Sequence, residues 1–181
     1  MTVSNFYEKY SKEILPAVGK TLGCTNANQV PRIKKVVVNV GVGRFVKEPN
    51  FVEMVETTLK KITGQKPVRT KAKKSISNFK IREGMEIGVM VTLRGPKMYN
   101  FIEKFVRVVL PRTKDFHGLS EKSFDANGNY TIGFKENVAF PEIKVEDADK
   151  MHGLQIIINT NAKTKEAGKV LLAAVGLPFV K

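Results

Sequence analysis

Nine cations lie between Lys60 and Arg82 (Lys60, Lys61, Lys66, Arg69, Lys71, Lys73, Lys74, Lys80, Arg82), and no carboxylate falls among them. Like charges this close repel one another unless an anion neutralises them. The run crosses a helix end, a strand and a loop, so it is not the polar side of one helix. Its chemistry is that of a polyanion site, or the run is a solvated face. Within it, KSISNFKIREG (Lys74–Gly84) sets Ser75, Ser77 and Asn78 among the cations with Phe79 at the centre. Hydroxyls and amides bond phosphate or 2′-OH groups, and an exposed aromatic stacks on a base or lies against a ribose. The plainer alternative has Phe79, Ile76 and Ile81 pinning the loop to the body.

Other candidate chemistry is thin. His117 and His152 have no sequence-local carboxylate or nucleophile, and Cys24 sits in a bland loop. One Cys and two distant His do not make an ordinary structural zinc site, so neither an enzyme, a metal nor a cofactor is expected. Gly41-Val42-Gly43 lacks the third glycine of a dinucleotide fingerprint and the Gly-Lys-Ser/Thr end of a P-loop. It reads instead as a strand end needing unusual backbone angles. One stretch has the opposite sign: Glu136–Asp149 holds five acids (Glu136, Glu142, Glu146, Asp147, Asp149) and one lysine. Such a patch repels nucleic acid and suits a basic protein partner, or is an ordinary acidic surface loop.

These groups sit on a chain of 181 residues with 31 Lys+Arg against 17 Asp+Glu, a net charge of +14. Charge of that size speaks to partners, nucleic acid first and an anionic membrane surface second. No apolar run approaches the roughly 18 residues of a membrane span, no secretory signal pattern opens the chain, and a single cysteine fits a reducing compartment. A cytosolic single domain over 1–181 is expected, with 42% apolar residues for its core.

The elements that must position the candidates follow from periodicity. Tyr7, Tyr10, Ile14, Val18 and Leu22 make a helical stripe over 5–22, with Asn5 and Glu8 as a capping pair and Pro16 kinking or dividing the helix. IKKVVVNVGV reads as a strand over 33–42, in which Asn39 shares a face with Lys35 and Val37, opposite Val36, Val38 and Val40. Pro49-Asn50 begins a second helix, capped by Asn50 with Glu53 and closed at Gly64. A short strand over 66–73 and a polar loop precede a strong strand over 87–94. There Ile87, Val89, Val91 and Leu93 face the core and Gly88, Met90, Thr92 and Arg94 the other side. Gly95-Pro96 opens a third helix that Pro111 stops, and 111–128 is a long loop. Strands over 129–135 and 154–160 and a helix over 163–175 complete the order α-β-α-β-β-α-β-β-α. That order predicts an α+β domain, a mainly antiparallel mixed sheet with helices on one face and the other face free for RNA.

The motifs TKAKKSISNFKIREG (Thr70–Gly84), VPRIKKVVVNVGVG (Val30–Gly43), TGQKP (Thr63–Pro67) and GVMVTLRG (Gly88–Gly95) resemble those of the bacterial form of the large-subunit ribosomal protein five family. LPRTKDFHGL (Leu110–Leu119), SFDANGNYTIG (Ser123–Gly133) and the terminal GLPFVK carry the resemblance along the whole chain. It implies a structural, non-enzymatic ribosomal component that binds 5S rRNA and helps attach it to 23S rRNA in the central protuberance. It also implies contact with P-site tRNA and a bridge to a basic protein of the small-subunit head. It puts Asn39, Gln65 and Thr92 on the 5S rRNA surface; the cations of the same face and stretch (Lys35, Lys66, Arg69, Arg94) complete that candidate set. It puts the loop bearing Lys73, Lys74, Ser75, Ser77, Asn78, Phe79, Lys80 and Arg82 near the tRNA. For the bridge it points to Arg112, Lys114 and Asp115, and to Glu142, Glu146, Asp147 and Asp149. The rival readings are a free-standing RNA chaperone or tRNA-binding module, and an RNA-modifying enzyme with a dispersed site.

Overall fold

The computed structural model describes residues 5–45, 48–114, 116–143 and 151–180. Four helices and five strands follow the expected order: α1 (5–21), β1 (Ile33–Gly41), α2 (Pro49–Thr63), β2 (Val68–Lys71), β3 (Glu86–Leu93), α3 (95–112), β4 (Tyr130–Phe134), β5 (Leu154–Thr160) and α4 (Lys165–Val175). The strands form one antiparallel sheet in the order β2-β3-β1-β5-β4. The α+β class is therefore as expected. Along β3 and β5 the buried side chains alternate (Val89, Val91, Leu93; Leu154, Ile156, Ile158), and in β1 they do so from Val36 onward. That period-2 pattern is the mark of a sheet with one covered face. Between Ile33 and Val36, both buried, the alternation slips by one residue.

The residues gather into two compact units. The first comprises 1–36, 93–132 and 157–181. Both of its proline-containing helices solve the same problem in the same way. A proline inside a helix lacks an N–H, and its ring collides with the carbonyl four residues back. In α1 a π turn, Tyr10–Ile14, precedes Pro16, and Leu15 N–H donates to the Tyr10 carbonyl five residues back. In α3 the π turn Phe105–Val109 precedes Pro111, with Leu110 N–H on the Phe105 carbonyl. The wider turn makes room for the ring, so Pro16 does not divide its helix and Pro111 is passed by one residue. It also changes which residues face inward. Steps of four drift by about 40° on a regular α-helix, and the π turn absorbs that drift. Phe6, Tyr10, Ile14 and Val18 are consequently buried in steps of four, while Tyr7 is exposed instead of joining the stripe.

Polar groups fasten this unit to itself. Tyr10 accepts a hydrogen bond from Ile33 N–H at 3.0 Å, and burial pushes its phenol up to about 12. Burial also acts to raise the Asp125 carboxyl, yet donation from the Asn129 side chain and from the Asn129 and Asn127 N–H groups holds it below its usual range. The turn so formed brings Gly128 against α4: a methyl group at Gly168 would collide with the Gly128 carbonyl oxygen. Thr164 caps α4, accepting from Ala167 N–H.

The second unit comprises 37–92 and 133–156. Its helix α2 begins at Pro49 with Glu48 at the N-cap, two residues earlier than the Asn50–Glu53 pair suggests; Pro at the first helical position is itself a strong start. It ends at Gly64, left-handed at φ 63°. The Asn5 side chain of the other expected capping pair lies outside the described residues.

Candidate nucleic-acid interface

The open face of the second unit is built across three strands. Register sets Val68 opposite Met90 and Thr70 opposite Gly88. On β1 and β3, Val37, Asn39, Met90 and Thr92 are half-buried, out of phase with the core valines. Gly88 lies in a row between two polar side chains: a methyl group there would come within 2.6 Å of Thr70 Oγ1 and 3.8 Å of Asn39 Oδ1. The row Thr70–Gly88–Asn39 is a shallow polar strip without a side chain at its middle. Thr70 was not among the candidates, although counting β2 against β3 in antiparallel register would have found it.

The corner after α2 steadies this strip. Thr63 is buried and donates to the Leu59 carbonyl at 2.6 Å, while Gln65 N–H donates back to Thr63 Oγ1 at 3.3 Å. Gln65 Nε2 donates to the Thr92 carbonyl at 3.1 Å. Gln65 therefore positions Thr92 through the backbone. Lys66, beside it, is exposed.

Arg69 departs from its candidate set. It pairs in register with Val89, on the core phase of β3 rather than that of Thr92. Its Nε donates to Glu56 at 2.9 Å and its Nη1 to Glu86 at 3.1 Å, and these bonds hold the guanidinium above its ordinary value. With two carboxylates already on it, Arg69 ties the edge strand to α2. Lys35 and Arg94 belong to the other unit, Lys35 half-buried on β1 and Arg94 exposed in extended backbone before α3.

Residues 73–84 are an ordered hairpin arm, with more structure than a polar loop. Ala72 N–H donates to Met85 and Gly84 N–H to Ala72, and Ile76 and Ile81 exchange both backbone bonds. Ser75 Oγ accepts from Glu83 N–H at 2.9 Å within the arm, and its O–H still faces outward as a donor. A 3₁₀ turn, Ser77–Phe79, forms the tip, and Lys80 closes it at φ 54°. Lys73, Lys74, Ser75, Ser77, Asn78, Lys80 and Arg82 are all exposed, and Phe79 is 72% exposed. The aromatic does not pin the arm down.

Of the bridge candidates, Arg112 and Lys114 are exposed and Glu142 is half-buried; Asp115, Glu146, Asp147 and Asp149 lie outside the described residues. His152 is buried, its Nδ1 3.3 Å from Asn137 Nδ2 and its ring edge-on to Phe51 at 6.3 Å. Among the described residues no group of three or more His, Cys, Asp or Glu could hold a metal ion, and no helix is long and apolar enough to cross a membrane. Gly41 and Gly43 do not have the unusual backbone angles expected of them, since neither has a left-handed φ.

The family model for ribosomal protein L5 matches residues 26–82, and the model for the C-terminus of the same ribosomal family matches 86–179. The chain is 51% identical over 179 residues to the large ribosomal subunit protein uL5 of Thermoanaerobacter sp. (strain X514), covering 99% of this chain and all of that one. It is 50% identical over 174 residues to its namesake from Streptococcus pyogenes serotype M49 (strain NZ131), covering 96% and 97%. With the same name in Desulfotalea psychrophila (strain LSv54 / DSM 12343) the identity is 50% over 179 residues, covering 99% and 100%. Two models that together span most of the chain, and relatives at half identity end to end, leave one conclusion: this chain belongs to the ribosomal protein L5 family, and is a structural, non-enzymatic constituent of the large ribosomal subunit in the cytoplasm.

Proposed function

We propose that the strip of the second unit reads 5S rRNA, and that the protein thereby helps fasten 5S rRNA to 23S rRNA in the central protuberance. The observation that carries this reading is the row Thr70–Gly88–Asn39, a polar strip held by strand backbone in which the missing side chain at Gly88 lets the Thr70 hydroxyl close over its centre toward Asn39. Lysines and arginines displace condensed counterions from RNA and supply most of the affinity without regard to sequence. Hydroxyls and amides fixed on a sheet then set the register of the bound RNA through sugar and phosphate contacts. Asn39, Thr70 and Thr92 make those contacts, Gln65 positions Thr92, and Lys66 supplies charge. Arg69, held by Glu56 and Glu86, has a structural role.

The exposed arm at 73–84 serves P-site tRNA, its lysines bonding backbone phosphates. Arg112 and Lys114, with the acids of 142–149, serve the small-subunit bridge, where the carboxylates suit a basic protein of the head. The test is binding of purified 5S rRNA to Asn39→Ala and Thr92→Ala. Loss of a hydrogen bond to a charged group costs about 1.5–3 kcal/mol, so each variant should bind roughly tenfold to a hundredfold more weakly with its melting temperature unchanged. Wild-type affinity in both variants moves the RNA off this face.

A further inference from the structure

Gly41 and Gly43 answer to no need of the fold. Neither has left-handed backbone angles, and a methyl group on either would meet nothing within 4 Å. A glycine kept bare for neither turn nor packing leaves room for something to approach the main chain. Both face a groove of about 770 Å³, within the roughly 300–1,000 Å³ of small-molecule sites. Phe45, Phe51, Phe79, Met85, Met151 and Lys80 line it too, all in the second unit. Phe45 and Met151 are 42% and 52% exposed, and with Phe79 they account for three of the exposed large apolar side chains among the described residues. Exposed apolar groups gathered at one place mark a binding site.

The polar part of the groove has one sign. No carboxylate lines it among the described residues, and Lys80 stands at its rim. Lys80 is the single non-glycine residue with positive φ among the described residues. A glycine would fit that left-handed turn at lower cost; the lysine that stands there instead puts an ammonium group on the groove. Exposed rings, a cation and bare main chain are together the equipment for holding a single-stranded nucleotide.

We propose that this groove takes an unpaired nucleobase of RNA. The base lies against Phe45 and Phe79, its phosphate meets the Lys80 ammonium, and its polar edge approaches the main chain at Gly41 and Gly43. The proposal rests on the RNA-binding reading above for the class of ligand alone; the site is separate from the sheet strip.

The methionines allow the two to be tested apart, since Met85 and Met151 line the groove and Met90 lies on the strip. The full chain, labelled at its methionine methyl groups, is titrated with a six-residue oligoadenylate, with an abasic ribose–phosphate chain of the same length, and with 5S rRNA. Oligoadenylate should move the Met85 and Met151 resonances. Gly41→Val should weaken that response at least fivefold, as should Phe79→Ala, whose exposed side chain the fold does not require. Gly133→Val, where a side chain also meets open space, should leave it within twofold. Equal responses to the abasic chain, or none to oligoadenylate, overturn the proposal. So do shifts that appear on concentrating the protein without RNA, which would give the groove to a second copy of the chain. A Met90 response to 5S rRNA with Met85 and Met151 silent toward oligoadenylate sinks the groove and leaves the strip standing; the converse keeps the groove and sinks the strip.

Discussion

In the first unit the polar groups that shape the backbone are engaged by the fold itself, Tyr10 with Ile33, Thr160 with the Gly128 carbonyl and the exposed Asp125 with its own turn. The second unit has ties of that kind at Thr63 and at Asn137 with His152, but it also leaves Asn39, Thr70 and Thr92 half-buried on an open face and a row of cations fully exposed on its arm. Substitutions of these first-unit groups should therefore act through stability. Those on the open surfaces of the second should act through affinity, with folding untouched. The division is useful because the two effects are measured separately.

The largest expected effect belongs to the exposed charge. With roughly five to eight phosphates neutralised, the log–log dependence of 5S rRNA affinity on salt should have a slope of about −4 to −7. Between 50 and 200 mM salt that is a loss of about 10²- to 10⁴-fold. Filter binding across that range checks it, and a flat response would mean that charge contributes little.

The next effect lies in the first unit. Gly168→Ala forces a methyl group toward the Gly128 carbonyl, and overpacking of this kind costs about 1–3 kcal/mol, at times more. The expected loss is about 3 kcal/mol in urea unfolding, with 5S rRNA affinity of the folded fraction unchanged. A variant as stable as the parent would show that the turn and α4 yield readily.

Tyr10 gives a pH signature of similar size. Its folded value, about 12, exceeds its ordinary value of 10.0. Its contribution is therefore complete below pH 10 and is lost as pH rises from 10 toward 12, since the unfolded chain ionises first. Two units correspond to about 2–3 kcal/mol. Unfolding free energy should fall over that window in the parent and fall less in Tyr10→Phe; parallel profiles would remove Tyr10 as the cause.

Smallest of all should be the effect of the arm on 5S rRNA. Deleting residues 75–82 takes away the tip with Lys80 and Arg82, yet affinity for 5S rRNA should stay within about threefold, while tRNA footprints on assembled ribosomes change. A collapse of 5S rRNA binding would merge arm and strip into one surface and erase the distinction between them.

Much of this was legible in the residues. Strand parity sorted Asn39 and Thr92 from the core valines before any coordinates, because a period of two leaves little freedom once one face is buried. The order of elements was legible for the same reason. What was hidden depended on partners distant in sequence. Arg69 looked like one more cation in a basic run, since neither Glu56 nor Glu86 is its neighbour along the chain. Thr70 needed the register of β2 on β3. Tyr7 and Phe6 exchanged roles because a π turn shifts the helical phase, and Pro16 alone does not say whether a helix breaks or widens. Gly41 and Gly43 read as a strand end in need of unusual backbone angles, and nothing in a Gly-Val-Gly triplet distinguishes that need from room left for a ligand.

The open face has a consequence for the protein before it meets RNA. Val37, Val68 and Met90 share that face with the polar strip, and Val68 is 60% exposed on an edge strand. An uncovered sheet with a free edge invites pairing with its own kind. The net charge of +14 keeps copies apart by mutual repulsion, and Lys66 and Lys71 stand at either end of that edge. The cations that capture RNA thus also act as the chain's chaperone while it waits for its place in the subunit, and salt that loosens its grip on RNA would at the same time favour its precipitation.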